Sequence, residues 1–204
     1  MNKTKRGRLV VVSGPSGVGK GTVLKYVLER DDFVYSVSAT TRKPRDIDID
    51  GVTYFFKSKE EFENMIDNHE LIEYACYNGN YYGTPKFFVE DMLSKGKNVI
   101  LEIEVQGAVQ VKKIMPDATF VFIAPESREI LENRLRGRGT ETEDVIAGRL
   151  SIAEKEIRAC LMYDYIVINR DGEAEKCASD IVAAVSAEGM KPCNMYSEVS
   201  EFFK

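Results

Sequence analysis

The chain has 204 residues, of which 44% are hydrophobic and 30% are charged; this supports one compact domain with a sizeable core and excludes a disordered tail or a peptide. Its 28 Lys and Arg residues against 33 Asp and Glu residues give a net charge of −5, which excludes a globally basic surface for nucleic acid or an anionic membrane. Any anion must therefore be bound by local groups.

The four cysteines, Cys76, Cys160, Cys177 and Cys193, form no C-x-x-C pair, and this spacing argues against a zinc site. Such sparse usage is typical of a cytosolic protein with reduced thiols. The apolar run at residues 9–12 is too short for a signal peptide or a membrane span. We therefore expect a cytoplasmic protein that binds neither membranes nor nucleic acid.

The first predicted elements are a strand, a glycine-rich loop and a helix. Residues 9–13 are a continuous apolar run that predicts a buried parallel strand, and residues 22–30 predict a helix. Residues 14–22 between them read GPSGVGKGT, so successive backbone N–H groups can point into one concavity at a helix N-terminus. This context predicts a phosphate-binding loop with the Lys20 ammonium at the β and γ phosphates, and it disfavours an ordinary turn with a surface lysine.

Within this loop, Gly21 occupies the position after the lysine at which phosphate-binding loops carry Ser or Thr. The magnesium-ligand role therefore shifts to Thr22 or to water. A Ras-like GTPase is disfavoured, because the nearest match to its N-K-x-D guanine motif, at residues 169–172, lacks the lysine and the spacing.

Residues 33–83 contain short β-prone pieces (35–38, 52–56 and 71–77) around one helix, which predicts a small, mostly antiparallel inserted subdomain. Ser58 and Glu61 have the spacing of a capping box for that helix. Arg42 and Arg45 flank Lys43-Pro44, so a rigid turn presents two guanidinium groups that suit a monophosphate dianion.

Further apolar runs at residues 99–103, 119–124 and 165–169, with helix-like segments between them, complete the prediction of an α/β fold with a parallel sheet flanked by helices. The glycines and polar residues at 137–149 predict a mobile excursion between two helices. Four arginines lie around it, Arg134, Arg136, Arg138 and Arg149, and their placement suits closure over a triphosphate.

Eight segments, in this order, strongly resemble guanylate kinase of the nucleoside monophosphate kinase group: GPSGVGKGT, SVSATTRKPR, GVTYFF, LIEYA, GNYYGTP, LEIEVQG, RLRGRGTETEDVI and YDYIVIN. The resemblance covers residues 8–186. It implies a P-loop NTPase-type parallel sheet with an inserted GMP-binding subdomain and a helical lid. It also implies transfer of the γ-phosphate of ATP to GMP or dGMP, with Mg²⁺ as cofactor.

The resemblance divides one domain of residues 1–204 into a core, a GMP-binding insertion, a lid and a tail. The core comprises about residues 1–35, 84–136 and 150–190, the insertion about 36–83, the lid about 137–149 and the tail 191–204. The expected partners are ATP and GMP. Nothing in the sequence indicates the oligomeric state.

By resemblance, GMP phosphate contacts fall on Arg42, Arg45, Tyr54 and Tyr82, and guanine contacts on Ser38, Glu73 and Thr84. The chemistry is consistent with this, because a Glu73 carboxylate can accept from guanine N1–H and the 2-amino group together. Adenine has no such donor pair on that edge and would leave a buried carboxylate unpaired.

The ATP site falls by resemblance on Asn169 and on the whole loop: Gly14, Pro15, Ser16, Gly17, Val18, Gly19, Lys20, Gly21 and Thr22. Arg170 stands where an aspartate is frequent, so the adenine contacts are less defined. The catalytic cations are expected at Lys20, Arg42, Arg134, Arg138 and Arg149, and Arg136 matches no family contact.

Glu102 and Glu104 in LEIEVQG stand where the family more often has aspartates. Alternate residues of a strand share a face, so we expect both carboxylates in one cleft. By resemblance, Glu104 faces the GMP and magnesium region, and Glu102 lies nearer the loop, where it serves Mg²⁺ through water.

Two alternatives remain open. A catalytically silent module of this family would bind phosphorylated protein segments through the GMP-site residues, but such modules lack the loop lysine and lid arginines that this chain has. A kinase for AMP or UMP would share the GKGT sequence, but Glu73, Ser38 and the TTRKPR run argue against it.

Overall fold

The computed structural model describes residues 6–137 and 142–201, apart from the side chains of Ser197 and Glu198. In chain order the elements are β1 Leu9–Ser13, α1 Lys20–Leu28, β2 Phe33–Tyr35, β3 Ala39–Thr40, β4 Phe55–Phe56, α2 Lys59–Asp67, β5 Leu71–Tyr77, β6 Asn80–Pro85, α3 Lys86–Ser94, β7 Asn98–Glu102, α4 Val105–Ile114, β8 Thr119–Pro125, α5 Arg128–Arg136, α6 Glu143–Arg158, a 3₁₀ turn Ala159–Met162, β9 Tyr165–Asn169, α7 Ala174–Gly189 and α8 Pro192–Ser200.

A five-stranded sheet has the order β2-β7-β1-β8-β9. β2 runs parallel with β7, with Phe33 opposite Asn98, and β8 runs parallel with β9, with Val121 opposite Tyr165. All five residues of β1 are buried, as a continuous apolar run in a parallel sheet requires. The predicted α/β fold with strands at residues 9–13, 99–103, 119–124 and 165–169 is confirmed, with boundaries shifted by at most one residue. The predicted burial of residues 165–169 is wrong, because β9 lies at the edge of the sheet and only Val167 and Asn169 are buried.

A second, four-stranded sheet has the order β4-β3-β6-β5. β6 pairs antiparallel with both β3 and β5, while β3 and β4 are parallel. The prediction of a mostly antiparallel subdomain is therefore confirmed, but the predicted strand at 35–38 is wrong. Tyr35 ends β2 in the parallel sheet, and the Ser36 N–H donates to the Ile100 carbonyl (2.8 Å). A local pattern of β-prone residues does not say which sheet will supply the hydrogen-bonding partners.

The chain divides into two compact units. The first runs to Val11 and resumes at Asp31–Ala118; it contains a core cluster of Ala39, Phe62, Met65 and Leu71. The predicted capping box of α2 is present, since the Glu61 N–H donates to Ser58 Oγ (3.1 Å) and the Ser58 N–H donates to Glu61 Oε2 (2.6 Å).

The second unit comprises Val12–Arg30 and the described residues from Thr119 onward. A buried cluster joins α5 to α6 through Leu131, Leu135, Ile146 and Ala153. The predicted excursion at 137–149 is wrong in its second half, because α6 begins at Glu143. Glu143 and Asp144 in the first turn complement the helix dipole, which favours a helix start there. Residues 138–141 lie outside the described part.

No helix in the described ranges combines the length and apolarity needed to cross a bilayer. Helix α8 begins with Pro192 at its first turn, a position where the missing N–H costs nothing. The tail after residue 189 is therefore helical through most of its described length.

Candidate active site

The loop of residues 14–22 connects β1 to α1, and two of its glycines, Gly17 and Gly19, meet both conformational and steric demands. Gly17 and Gly19 have φ of 86° and 94°, in the left-handed region that other residues rarely adopt. A Cβ at Gly17 would lie 2.7 Å from Leu135 Cδ2, and one at Gly19 would lie 2.7 Å from Asn169 Nδ2. The loop is therefore packed closely against α5 and the end of β9.

The Lys20 side chain folds back across this loop. Its Nζ donates to the Gly14 carbonyl (2.6 Å) and more weakly to the Pro15 carbonyl (3.3 Å). Lys20 is also the first residue of α1, where backbone N–H groups have no intrahelical acceptor. A cation and the positive end of a helix therefore lie at one loop, an arrangement that suits an anionic ligand.

The Val18 carbonyl accepts hydrogen bonds from two residues of the predicted ATP site. Asn169 Nδ2 donates at 2.7 Å and Arg134 Nη1 at 3.0 Å. Arg134 Nη2 also donates to the Arg170 carbonyl (3.1 Å). The Oδ1 of Asn169 is buried and accepts no hydrogen bond from the described protein groups. Asn169 and Arg134 thus hold the loop in place, a role that sequence reasoning did not foresee.

Arg149 on α6 also reaches the loop, with Nη1 3.4 Å from Ser16 Oγ. The structure thus brings Arg134, Arg149 and Lys20 to the same loop, while Arg138 lies outside the described residues. Arg136 instead donates to Glu143 and Glu132, and these hydrogen bonds, that with Glu143 first, raise its pKa.

In the first unit, Arg42 lies over Tyr54, and Tyr54 packs against Tyr82, the other predicted phosphate tyrosine. Its guanidinium carbon is 5.3 Å from the centre of the Tyr54 ring, and the Tyr54 and Tyr82 rings meet edge to face at 6.1 Å. Such contact with an aromatic face is favourable for a guanidinium group. Arg42, Tyr54 and Tyr82 therefore form one cationic, hydroxyl-bearing cluster.

Asp48 fixes the orientation of this cluster, and the sequence analysis missed it. Its Oδ2 accepts from Arg42 Nη2 (2.9 Å) and from the backbone N–H of Arg45 (2.7 Å). The hydrogen bond from the Arg45 N–H, and then that from Arg42, lower the pKa of Asp48. The hydrogen bond that Arg42 donates to Asp48 raises the pKa of Arg42. The side chain of Asp48 is only 8% exposed, whereas Arg45 is exposed. The only sign of this role in the sequence is an acidic residue three positions after Arg45.

Glu73 and Thr84 meet on neighbouring strands β5 and β6. Thr84 is fully buried and its Oγ1 donates to Glu73 Oε1 (2.7 Å), while Glu73 is 8% exposed. Burial raises the pKa of Glu73, because a charged carboxylate is costly out of water, and the Thr84 hydrogen bond opposes this. Ser38 lies half-buried just before β3, and its carbonyl accepts from the Phe55 N–H (2.9 Å).

The expected sharing of a strand face by Glu102 and Glu104 is wrong. β7 ends at Glu102, and Glu104 is the exposed N-cap residue of α4. The alternation rule therefore does not reach Glu104. Glu102 accepts a hydrogen bond from the Tyr35 hydroxyl of the adjacent strand (2.5 Å). The pKa of Tyr35 is raised, first by burial and then by the nearby negative charge of Glu102.

No group of three or more His, Cys, Asp or Glu side chains able to hold a metal occurs within residues 6–137 and 142–201. Thr22 is exposed in the first turn of α1, where its N–H donates to the Gly19 carbonyl (3.0 Å). The described oxygen donors are thus too few for an all-protein metal cage.

Comparisons with known proteins agree with the motifs. A sequence model of the guanylate kinase family matches residues 6–188. The guanylate kinase of Bacillus anthracis is 52% identical over 204 residues, with 98% of each chain covered. That of Clostridioides difficile (strain 630) is 49% identical over 201 residues, covering 98% of this chain and 97% of its own.

A solved structure shows the same relationship. The crystal structure of guanylate kinase from Anaplasma phagocytophilum matches with a TM-score of 0.72 and 35% identity, covering 97% of this chain and 95% of that chain. The family model extends over most of the chain, and the curated relatives match at about half identity over nearly their full length. The chain therefore belongs to the guanylate kinase family.

Proposed function

We propose that this enzyme transfers the γ-phosphate of ATP to GMP, with the loop of residues 14–22 binding the ATP phosphates and the residues around Arg42 and Glu73 binding GMP. The observation that carries the base assignment is the buried Glu73 carboxylate, which accepts from Thr84. A buried carboxylate needs donors, and guanine offers N1–H and the 2-amino group side by side. Ser38 completes this guanine site by family resemblance.

AMP would leave that charge without its donors, so the selectivity for guanine follows from an unpaired buried group as much as from a good contact. The base is selected through the ring edge. We therefore expect dGMP, which carries the same base, to be a substrate as well.

For the GMP phosphate we propose Arg42, Arg45, Tyr54 and Tyr82. Arg42 is already oriented by Asp48 and lies over Tyr54, which supports this assignment. An arginine fork matches the oxygens of a phosphate dianion, and tyrosine hydroxyls donate to them. The Arg45 side chain is exposed, so it can turn toward the phosphate.

For ATP we propose the loop amides with Lys20, and the arginines Arg134, Arg138 and Arg149 around the transferred group. The unsatisfied Asn169 Oδ1 supports a contact with the adenine amino group, since a buried acceptor gains most from a donor. Cations arranged before reaction stabilise the charge of the transferring phosphoryl group without reorganisation.

Mg²⁺ fits the available donors, because this ion keeps several waters and takes few protein oxygens besides phosphate. Thr22 and, through water, Glu102 would be those protein groups, and Glu104 would face GMP. When bound, Mg²⁺ supplies charge neutralisation at the β and γ phosphates.

The protein then needs no general base, because the attacking GMP phosphate is already ionised at neutral pH. Its residues act by positioning the two phosphates and by screening their mutual repulsion. Exclusion of water prevents hydrolysis of ATP. We propose a cytoplasmic location, which the unpaired state of all four cysteines supports.

The test is release of ADP in a coupled assay with ATP, Mg²⁺ and one monophosphate at a time: GMP, dGMP, AMP or UMP. We expect turnover with GMP and dGMP, and at least a hundredfold lower kcat/KM with AMP, on the order expected for an unpaired buried polar site. Absence of turnover with GMP would favour the silent phosphoprotein-binding module. Lys20→Met should abolish phosphoryl transfer, and full activity of that variant would refute the loop assignment.

A further inference from the structure

The strand that carries Glu73 lies at the edge of its sheet and is irregular at that residue. In the order β4-β3-β6-β5, only one side of β5 has a strand neighbour among the described residues. The pairing of β5 with β6 shifts register between Leu71 and Tyr74, so Glu73 stands inside the irregularity. The β-ladder alone therefore holds the backbone at Glu73 less firmly than that of a regular central strand.

The side chain of Gln110 occupies the open edge next to Glu73. Its Nε2 donates to the Tyr74 carbonyl (3.2 Å), and its Oε1 accepts from the Tyr74 N–H (3.3 Å). Tyr74 is opposite Gly83 on β6, and in an antiparallel pair alternate residues direct both backbone groups away from the partner strand. The carboxamide thus pairs with β5 as the peptide group of a further strand would, and it ties β5 to α4.

Three close approaches define the position of Glu73 on its other sides. A Cβ at Gly83 would lie 2.8 Å from the Glu73 carbonyl, and a Cβ at Gly107 on α4 would lie 3.4 Å from Glu73 Oε2. Thr84 donates to the other carboxylate oxygen. Gly83 therefore lies against the backbone carbonyl of Glu73, whereas Gly107 and the Thr84 hydroxyl lie at its carboxylate.

The remaining side is open. A groove of about 290 Å³ is lined by residues of β5, including Ile72 and Tyr74, and by Gln110 and Ile114 of α4. Packing atoms cannot oppose a displacement of β5 toward an unfilled volume. Gln110 lies at this groove and bonds the backbone of the residue next to Glu73, so it opposes such a displacement.

We propose that Gln110 is a positioning residue for guanine selectivity: its carboxamide replaces a missing strand neighbour of β5 and sets where the Glu73 carboxylate stands. This inference rests on the proposed contact of Glu73 with guanine. A carboxylate that accepts two hydrogen bonds from one base edge tolerates little displacement, because a small shift that keeps one bond lengthens the other.

The test compares Gln110→Met, which keeps the side-chain length and removes both hydrogen bonds, with Lys113→Met on an exposed position of the same helix. Steady-state kinetics are measured with GMP, with IMP, which lacks the 2-amino group, and with ATP. We expect Gln110→Met to raise KM for GMP about tenfold, as loss of two hydrogen bonds allows. The preference for GMP over IMP should shrink, KM for ATP should stay within about twofold, and Lys113→Met should resemble the parent protein.

A second variant and an independent probe accompany this comparison. Gln110→Glu keeps the acceptor for the Tyr74 N–H but places an anionic oxygen against the Tyr74 carbonyl, so its GMP to IMP preference should fall at least as far as that of Gln110→Met. Hydrogen exchange of the Tyr74 amide should accelerate in Gln110→Met and remain slow in Lys113→Met.

An unchanged GMP to IMP ratio in Gln110→Met, an equal rise of KM for GMP and ATP, or an unchanged exchange rate at Tyr74 would overturn the positioning role. A parent protein without GMP turnover would instead refute the proposed function. These two failures are therefore distinguishable.

Discussion

Replacing Glu73 by Gln is expected to stabilise the protein at neutral pH while it damages GMP selectivity. The change keeps the shape of the side chain and an oxygen that can accept from Thr84. It removes a charge at a residue that is 8% exposed. Because the site is built to pair that charge with a substrate, the unliganded protein bears the cost of its desolvation.

The sign of the pH dependence follows from the raised pKa of Glu73. The folded state binds the proton more tightly than the unfolded state, so the stability of the parent protein falls as pH rises from the ordinary carboxyl value through the raised folded value. Each pKa unit of this difference corresponds to about 1.4 kcal/mol. In a chain of this size, about 1 kcal/mol moves Tm by roughly 2–4 °C.

Thermal unfolding of the parent, Glu73→Gln and the control Glu70→Gln, an exposed carboxylate, should be compared at pH 8 and pH 4. We expect Glu73→Gln to have a higher Tm than the parent at pH 8 and to lose this advantage at pH 4. Glu70→Gln should match the parent at both pH values. Loss of a charged hydrogen bond of about 1.5–3 kcal/mol should lower kcat/KM for GMP roughly ten- to a hundredfold. A lower Tm of Glu73→Gln at pH 8, or equal losses with GMP and ATP, would refute the reasoning.

Three further expectations concern other residues. Gly17→Ala should lower the free energy of unfolding, measured by chemical denaturation, by more than about 1 kcal/mol, because the new Cβ meets Leu135 and the residue has a positive φ. Gly21→Ala should be neutral or stabilising, because no atom lies within 4 Å of its Cβ. Similar losses in both variants would contradict this reasoning. Asp48→Asn should raise KM for GMP roughly tenfold without changing KM for ATP, and the exposed Asp46→Asn should do neither. Tyr35→Phe should raise the Mg²⁺ concentration for half-maximal rate about two- to fivefold and leave KM for GMP unchanged, because the Glu102 carboxylate loses the hydroxyl that orients it. An unchanged Mg²⁺ response would count against a role of Glu102 in Mg²⁺ binding.

Local features were predictable from sequence because they depend on near neighbours. The buried run before the glycine loop, the capping box of Ser58 and Glu61, and the strand–loop–helix order are all consequences of backbone preference within a few residues. Family resemblance added roles for Arg42 and Glu73 that spacing alone does not indicate. These roles stay predictions until the assays above are made.

Other features could not be predicted, because they join residues from distant parts of the chain. Tyr35 and Glu102 are 67 residues apart and meet only because β2 pairs with β7. Asn169 reaches the Val18 carbonyl across 151 residues. β7 ends at Glu102 because α4 begins soon after it, with Glu104 as its N-cap residue. Glu104 therefore does not lie on the face of the strand where we expected it.

The sequence by itself therefore determined the order of elements, the glycine loop with Lys20 and the residue types of both nucleotide sites, because these depend on local backbone conformation and recognisable motifs. Only the tertiary structure decided that Glu73 is buried against Thr84, that Asp48 holds Arg42 and that Gln110 holds the open edge of β5. Burial and hydrogen-bond partnership are properties of packed neighbours, and no spacing along the chain specifies them.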